Sequence, residues 1–426
     1  MELKEKKVSV IGLGYVGLPL ALLTERKGYE AVGIDTDEEK INLINKKTSP
    51  FEEKDVDKYI KNSKIKATSN IKEAEDSSII IICVPTPVDK KNMPNLGPVK
   101  GATKAVSSIL KKGHLVVLES TVNPGVSESV VLPILEKTGL KGGKDFYLAH
   151  CPERINPGDP KWHVENINRV VGSIDKKGLK KAADFYRNIL SADVKEMGSI
   201  MEAEACKVVE NSFRDINIAF VNELAMSFSK LNIDVVNVID GAATKPFAFM
   251  AHYPGAGVGG HCIPVDPYYL IEYAKTKGFN HEFLSLARRI NSEMPSFTAD
   301  LVEQGFNEEG LNKDEKNVVV LGLSYKANID DDRESPSYEI IENLKKRGFN
   351  VNFFDPHLVE KSNCKNLKDA LKNVCAIVLA TGHKEFLDIK PEYLKEMGIK
   401  IVVDGRNAFN KESFINSGLN YKGIGR

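Results

Sequence analysis

A chain of 426 residues is too long for a single core, and its 59 basic and 59 acidic side chains cancel, leaving no net field to draw it to nucleic acid or an anionic membrane. Apolar residues make up 42% and charged residues 28%, an ordinary balance for a soluble globular protein. The longest apolar runs, such as Ser78–Val84, are strand-sized and far below the ~20 residues that span a bilayer, so no membrane partner is expected.

The N-terminus enters a strand with no apolar signal core, and the six cysteines are scattered without a CxxC pair. Neither a zinc site nor a disulfide framework is expected, and the predicted setting is the cytoplasm.

Val8–Ile11 reads as a β-branched strand, followed by Gly12-x-Gly14-x-x-Gly17 and a helical pattern from about Tyr15 to Lys27. Glu30–Ile34 reads as the second strand and ends at Asp35, eighteen places after Gly17. Strand, glycine fingerprint, helix, strand and acid in that order form a dinucleotide-binding unit. Its glycines allow the tight turn and bring backbone N–H groups to a pyrophosphate. Asp35 would accept from a ribose 2′-OH and repel a 2′-phosphate, which favours NAD over NADP.

Strands predicted at Ser78–Val84, Leu115–Glu119 and Tyr147–His150 end in the loops VPTP (84–87), ESTVNPG (119–125) and CPERINPG (151–158). Ligands of open α/β sheets sit at the carboxyl ends of strands, so Glu153 and Arg154 are candidate site residues. From Ile200 to about Asn232 there is no Pro or Gly, which predicts one helix of about 50 Å at 1.5 Å per residue. Lys207 and Asn211 are four apart on it and share a face, as an oxyanion and water-positioning couple would.

A short helix is predicted from Asp234 to about Ala242, and a longer one over Phe283–Glu303. Between them, Tyr253–Leu270 holds four glycines from Gly255 to Gly260, then Cys262, then Asp266. Glycines at that density let a backbone approach a ligand closely, and a thiol on such a loop is a candidate nucleophile. Phe306–Lys316 is polar and reads as a linker. Beyond it a second strand–helix alternation begins, with strands at Val318–Leu321, Val351–Phe354, Ala376–Ala380 and Ile399–Val403. This lobe lacks GxGxxG, and Lys326, Arg333 and Arg406 stand in its strand-end loops, where cations suit a nucleotide diphosphate.

The expected fold class is α/β, with two Rossmann-like parallel-sheet lobes joined by a helical region holding one long central helix. The expected domains are 1–198, 199–305 and 306–426.

These residues resemble the nucleotide-sugar 6-dehydrogenase family, whose best-known members oxidise UDP-glucose to UDP-glucuronate. GLGYVGLP (12–19), VPTP, ESTV.PG, PER, the Lys207/Asn211 pair, GVGGHCIPVDP (257–267), SYK (324–326), RESP (333–336) and DGRN (404–407) all fall in family order over nearly the whole chain. GGHCIPVDPYYL is more similar to the branch acting on UDP-N-acetylhexosamines than to the UDP-glucose branch, which usually has a lysine before the aspartate. Within that branch UDP-N-acetylmannosamine is favoured, with UDP-GlcNAc or UDP-glucose as alternatives.

The resemblance implies two successive oxidations of a C6 alcohol, with the aldehyde held on Cys262 as a thiohemiacetal and then a thioester. Lys207 and Asn211 would hold the oxyanion, Asp266 would orient Lys207 or a water, and Glu153 and Thr121 would position water. Gly12, Gly14, Tyr15, Val16, Gly17, Asp35, Val84, Thr86 and Thr121 would contact NAD, with Arg333 near its phosphates. Arg154, Lys207, Asn211, Lys245, Tyr253, Gly255, Gly257, Gly259, Lys326 and Arg406 would hold the UDP-sugar. A homodimer or higher homo-oligomer is implied as well. Two positions depart from the family pattern: Pro157 stands where many relatives have a second acid, and Ala256 where a second proline is common.

Asp35→Ala should narrow the preference for NAD over NADP in steady-state kinetics with both cofactors. An unchanged ratio would remove Asp35 from the ribose.

Overall fold

The computed structural model describes residues 7–51, 53–89, 93–155, 161–311 and 316–426. They form two compact units. One holds the residues up to Glu210 together with Tyr268–Asn280, and the other holds Asn211–Pro267 and His281–Arg426.

The first unit is built on an eight-stranded sheet in the order β3-β2-β1-β4-β5-β6-β7-β8. Its strands are β1 (Lys7–Ile11), β2 (Glu30–Ile34), β3 (Lys66–Thr68), β4 (Ile79–Ile82), β5 (Leu115–Leu118), β6 (Tyr147–His150), β7 (Arg169–Ser173) and β8 (Val194–Glu196). From β3 to β6 all neighbours are parallel, and in β1, β4 and β5 the register pairs Val10 with Ile81 and Ile81 with Val117. Such strands are buried on both faces, so Ile79–Ile82 is an unbroken apolar run, with Val10, Ile81 and Val117 in one core layer and Ile80, Ile82 and Val116 in the other. β7 returns antiparallel to β6, since the described residues between them hold no crossover helix.

The first helix starts at Gly17, two residues later than the pattern suggested, because Tyr15 and Val16 are spent on the turn. Gly12 has φ +90°, and a Cβ there would lie 2.6 Å from the Cys83 carbonyl oxygen at the end of β4. A Cβ at Gly17 would lie 1.9 Å from the Gly12 carbonyl oxygen. Two of the three fingerprint glycines are therefore required by the backbone itself.

The second unit holds a five-stranded, wholly parallel sheet in the order β10-β9-β11-β12-β13. Its strands are β9 (Asn317–Leu321), β10 (Asn350–Phe354), β11 (Ala376–Leu379), β12 (Ile401–Asp404) and β13 (Asn420–Gly423). Helix Glu282–Glu308 runs through the start of the expected linker, because Phe306 is buried against Phe349 (ring centroids 5.0 Å apart) and continues the core. The rest of that segment includes residues 312–315, which lie outside the described residues, as do Asn156, Pro157 and Gly158.

The long helix is present as Ile200–Leu231, 32 residues, and it ends where Asn232 turns to φ +55°. The short helix Val235–Ala243 follows, with the Asp234 carboxylate accepting from the backbone N–H groups of Val236 and Asn237. Short strands of mixed composition (β3, β7, β8 and β13) carry too little alternation to be read from sequence.

Gly17→Ala should lower stability by about 3 kcal/mol in urea titrations, since helix and turn must part to admit the methyl group. An unchanged midpoint would show that the turn relaxes at no cost.

Candidate active site

In the first unit, strand order reverses between β1 and β4, and the Gly12 turn and the Cys83–Val84 corner lie at the carboxyl ends of those strands, where such sheets bind ligands. Leu13 N–H donates to Asp35 Oδ2 at 2.7 Å and Asp37 N–H to Oδ1 at 3.0 Å, while Lys40 Nζ lies 3.0 Å from Oδ2. Burial works against the Asp35 charge, but these donors outweigh it and hold its carboxyl below the usual range. A Cβ at Gly14 would meet nothing within 4 Å, so open space lies against the turn. That backbone and a strand-end acid suit NAD. Tyr15, two residues before the helix, stacks on Phe51 with centroids 4.2 Å apart.

The neighbouring loops are tied down by buried groups. Ser120 Oγ donates to the Val84 carbonyl at 2.7 Å, and the hydroxyl of fully buried Tyr269 donates to the Thr86 carbonyl. Glu204 on the long helix accepts from Gly125 N–H at 2.5 Å and Ser127 N–H at 2.8 Å, which secures the loop carrying Thr121. Tyr269 and Glu204 carried no signal in the sequence, because each acts by reaching a distant backbone group.

Glu153 and Lys207 are brought together, Oε2 to Nζ at 3.6 Å, both largely buried. Glu153 Oε1 is buried and has no hydrogen-bond partner among the described residues. Arg154 is bidentate on Glu210, and its Nη1 donates to the Asn168 carbonyl at 2.7 Å, so its guanidinium ties the PER loop to the long helix.

In the second unit, Cys262 is half-buried, and its carbonyl accepts from Val265 N–H at 3.1 Å and Asp266 N–H at 2.8 Å. The thiol thus precedes helix Asp266–Thr276 by one turn. Asp266 is buried, and its Oδ2 accepts from Asn211 Nδ2 at 2.5 Å. Asn211 follows Lys207 by one turn of the long helix.

Three of the four glycines before Cys262 are required by close protein neighbours, and the fourth, Gly255, is tightly packed. A Cβ at Gly255 would come 3.1 Å from Arg406 Nη1, at Gly257 2.7 Å from Pro336 Cβ, at Gly259 2.7 Å from Tyr325 Cβ, and at Gly260 2.9 Å from Tyr325 Cε2. Gly260 N–H also donates to the Arg333 carbonyl at 3.0 Å, and Ala256 N–H to the Gly405 carbonyl at 2.8 Å. The SYK, RESP and DGRN segments therefore all converge on the glycine loop. Burial pushes the Tyr325 hydroxyl up to about 12, with Asp331 and Cys262 acting in the same direction.

Arg406 Nε donates to the Ala380 carbonyl at 2.7 Å and Nη1 to the Gly257 carbonyl at 3.4 Å, while Nη2 is buried with no partner among the described residues. Burial pulls its pKa down to about 10, Asp404 working the other way, so it stays charged at neutral pH. A cation with a buried N–H that has no partner among the described residues suits an anion. Lys326 is half-buried in the loop after β9. Arg333 is paired with Asp331, Nε to Oδ1 at 2.8 Å and Nη2 to Oδ2 at 2.5 Å. Tyr253 is exposed and donates to Asp240 at 2.7 Å, and exposed Lys245 lies over the Phe247 ring at 4.7 Å.

The two sheets begin alike. Gly322, at φ +98°, donates to the Phe354 carbonyl at 2.9 Å as Gly12 does to Ile34 at 2.8 Å, and Leu323 N–H donates to Asp355 Oδ2 at 2.6 Å as Leu13 does to Asp35. Asp355 is fully buried, however, and Oδ2 also accepts from Ser324 N–H at 2.8 Å, Ser324 Oγ at 3.0 Å and His383 Nε2 at 3.0 Å. The acid is consumed by protein donors, so this turn does not offer a ribose what Asp35 offers. Asn328 N–H donates to His383 Nδ1 at 2.9 Å, which leaves that ring no lone pair for a metal although His357 and Glu385 are near. No helix among the described residues is long and apolar enough to cross a membrane.

Three family models match the chain: the UDP-glucose/GDP-mannose dehydrogenase family NAD binding domain over residues 6–190, its central domain over 201–293 and its UDP binding domain over 319–411. The chain is 35% identical to a UDP-N-acetyl-D-mannosamine dehydrogenase of Pyrococcus horikoshii, over 99% of each chain. It is 34% identical to a UDP-N-acetyl-D-glucosamine 6-dehydrogenase of Pseudomonas aeruginosa, over 93% of this chain and 95% of the other. The solved structure of a UDP-D-ManNAc dehydrogenase from Pyrococcus horikoshii superposes with a TM-score of 0.93 at 35% identity, covering 99% of both chains.

Burial opposes the Asp355 charge, but His383, Ser324 and Leu323 outweigh it and hold the carboxyl well below its ordinary value of 3.8. A depressed folded value contributes stability above the unfolded one, which is lost as pH falls through the folded one. Asp355→Asn should therefore cost about 2 kcal/mol at pH 7, and the gap to wild type should shrink below about pH 4. Urea titrations at pH 7 and pH 3 check this; a gap independent of pH would refute it.

Proposed function

Because the chain belongs to the UDP-glucose/GDP-mannose dehydrogenase family, we propose that it oxidises the C6 alcohol of a UDP-N-acetylhexosamine, UDP-N-acetyl-D-mannosamine foremost, to the uronic acid. The single observation that carries this reading is the loop of Gly255–Gly260 and Cys262. It presents a thiol while lying against the SYK, RESP and DGRN segments, among which the cationic Arg406 has an Nη2 with no partner among the described residues. UDP-N-acetylmannosamine is supported by the full-length relative of that name and by GGHCIPVDPYYL. UDP-GlcNAc is the alternative supported by the relative of that name.

NAD, when bound at the Gly12 turn, supplies the hydride acceptor for each of two oxidations, with Asp35 and the Val84–Thr86 and Thr121 loops as its contacts. The primary alcohol loses a proton and a hydride to give the aldehyde. The Cys262 thiolate adds to the aldehyde carbon, and Lys207 and Asn211 hold the oxyanion that forms. Loss of the second hydride leaves a thioester on Cys262. Water, positioned by Glu153 and Thr121 with Asp266 holding Asn211, adds to the thioester and releases carboxylate and thiol. Lys326 and Arg406 hold the diphosphate and the Gly255–Gly259 backbone the sugar, with Lys245 and Tyr253 at the margin and Arg333 toward the cofactor phosphates. Arg154 acts through the loop that it anchors.

The domain division at 1–198, 199–305 and 306–426 belongs to this proposal and is supported by the three matched ranges. A homodimer is supported by Val209, Phe213 and Phe220, at 54%, 48% and 53% exposure, spaced to share one face of the long helix. The scattered cysteines support a cytoplasmic setting.

Spectrophotometric NADH yield per sugar consumed should be two, with UDP-N-acetylmannosamine turned over faster than UDP-GlcNAc, UDP-GalNAc or UDP-glucose. Cys262→Ala should lower uronate formation by at least a hundredfold. One NADH per sugar, or a Cys262→Ala protein at full rate, would overturn the two-step reading.

A further inference from the structure

Four side chains of the second unit, none at the reacting centre proposed above, form one buried polar chain that ends on the glycine loop. Arg288, Asp215, Asn291 and Asn222 are 7%, 0%, 2% and 0% exposed. Arg288 Nη1 donates to Asp215 Oδ1 at 2.6 Å. Asn291 Nδ2 donates to the same Oδ1 at 2.8 Å and to the Asp215 carbonyl at 3.0 Å. Asn222 Nδ2 donates to Asn291 Oδ1 at 2.9 Å, and Gly255 N–H donates to Asn222 Oδ1 at 3.0 Å.

The two ends dictate every orientation between them. A backbone N–H can only donate, so Asn222 must turn its oxygen to Gly255 and its nitrogen to Asn291. Asn291 must then present oxygen to Asn222 and nitrogen to the Asp215 carbonyl, which can only accept. Neither amide can flip without leaving two buried like groups face to face, which is costly in a low-dielectric interior. Asp215 is pushed up by burial, with Arg288 and Asn291 pulling the other way, yet its backbone carbonyl keeps the direction whatever its carboxyl does.

Beyond Gly255 the same backbone continues into two contacts of the candidate anion site. Ala256 N–H reaches the Gly405 carbonyl at 2.8 Å, and Arg406 Nη1 reaches the Gly257 carbonyl at 3.4 Å. Rotating the peptide before Gly255 would carry both out of register.

We infer that Asn222 is a positioning residue for the nucleotide-sugar: oriented through Asn291 by Asp215 and Arg288, it sets the register of the Gly255–Gly257 backbone against Arg406. The inference rests on the proposed function, because it concerns the substrate that this loop receives.

Asn222→Asp keeps an acceptor for Gly255 but turns a second oxygen toward Asn291 Oδ1, so it breaks the direction of the chain with little change of volume. The expected result is a KM for UDP-N-acetylmannosamine raised at least tenfold, with KM for NAD within twofold of wild type. Protection of Cys262 from iodoacetamide should require correspondingly more UDP-N-acetylmannosamine.

Should Asn222→Asp fail to fold, Asn291→Ser frees the Asn222 amide while sparing its bond to Gly255, and a threefold rise in the same KM is expected. A purely structural role would lower the active fraction and leave both KM values alone. Unmoved KM values, or values that rise together, would overturn the inference. If UDP-N-acetylmannosamine fails to protect Cys262 in the wild-type protein, the substrate reading falls and takes the inference with it.

Discussion

The absence of side chains at Gly257, Gly259 and Gly260 is the constraint on which the candidate site depends. Pro336 and Tyr325 occupy the volumes that side chains would need, and the Arg406 guanidinium packs against Gly255. That packing draws three segments far apart in sequence onto one loop, and the loop ends in Cys262. Any residue with a Cβ at Gly259 or Gly260 would push Tyr325 away. The cost would fall on the placement of the thiol as well as on stability.

Buried polar groups then decide which chemistry each part can support. Asp35 and Asp355 close equivalent turns of the two sheets, and each receives the backbone N–H of a leucine that follows a left-handed glycine. They diverge in what surrounds them. Asp35 keeps an edge beside Lys40, whereas Asp355 is sealed by Ser324 and His383. One architecture thus yields a turn suited to a dinucleotide in the first unit and an internal brace in the second, where a buried Arg406 N–H has no partner among the described residues.

Much of this was legible in the sequence. The GxGxxG turn, Asp35 and the unbroken apolar strands could be read because they depend on local rules, namely turn geometry, strand period and burial on both faces. The long helix was legible for the same reason, and its end at Leu231 is local too, set by the left-handed Asn232. What escaped depends on contacts between distant residues. Helix Glu282–Glu308 extends past its polar-looking end because Phe306 is buried against Phe349, and β7 and β8 pair although each is short. The pairing of Arg154 with Glu210 likewise joins residues 56 apart, which spacing along the chain does not show.

The sequence by itself determined the two α/β lobes, the NAD turn, the position of Cys262 beside a glycine-rich backbone and the kinship of the whole chain. These follow from residue types at fixed spacing along the backbone. Only the tertiary structure decided what the glycines are for, which cations are already paired, and that Asn222 reaches the first glycine from one end of a directed hydrogen-bond chain. Close packing and hydrogen-bond direction are properties of residues brought together by folding, and spacing along the chain does not encode them.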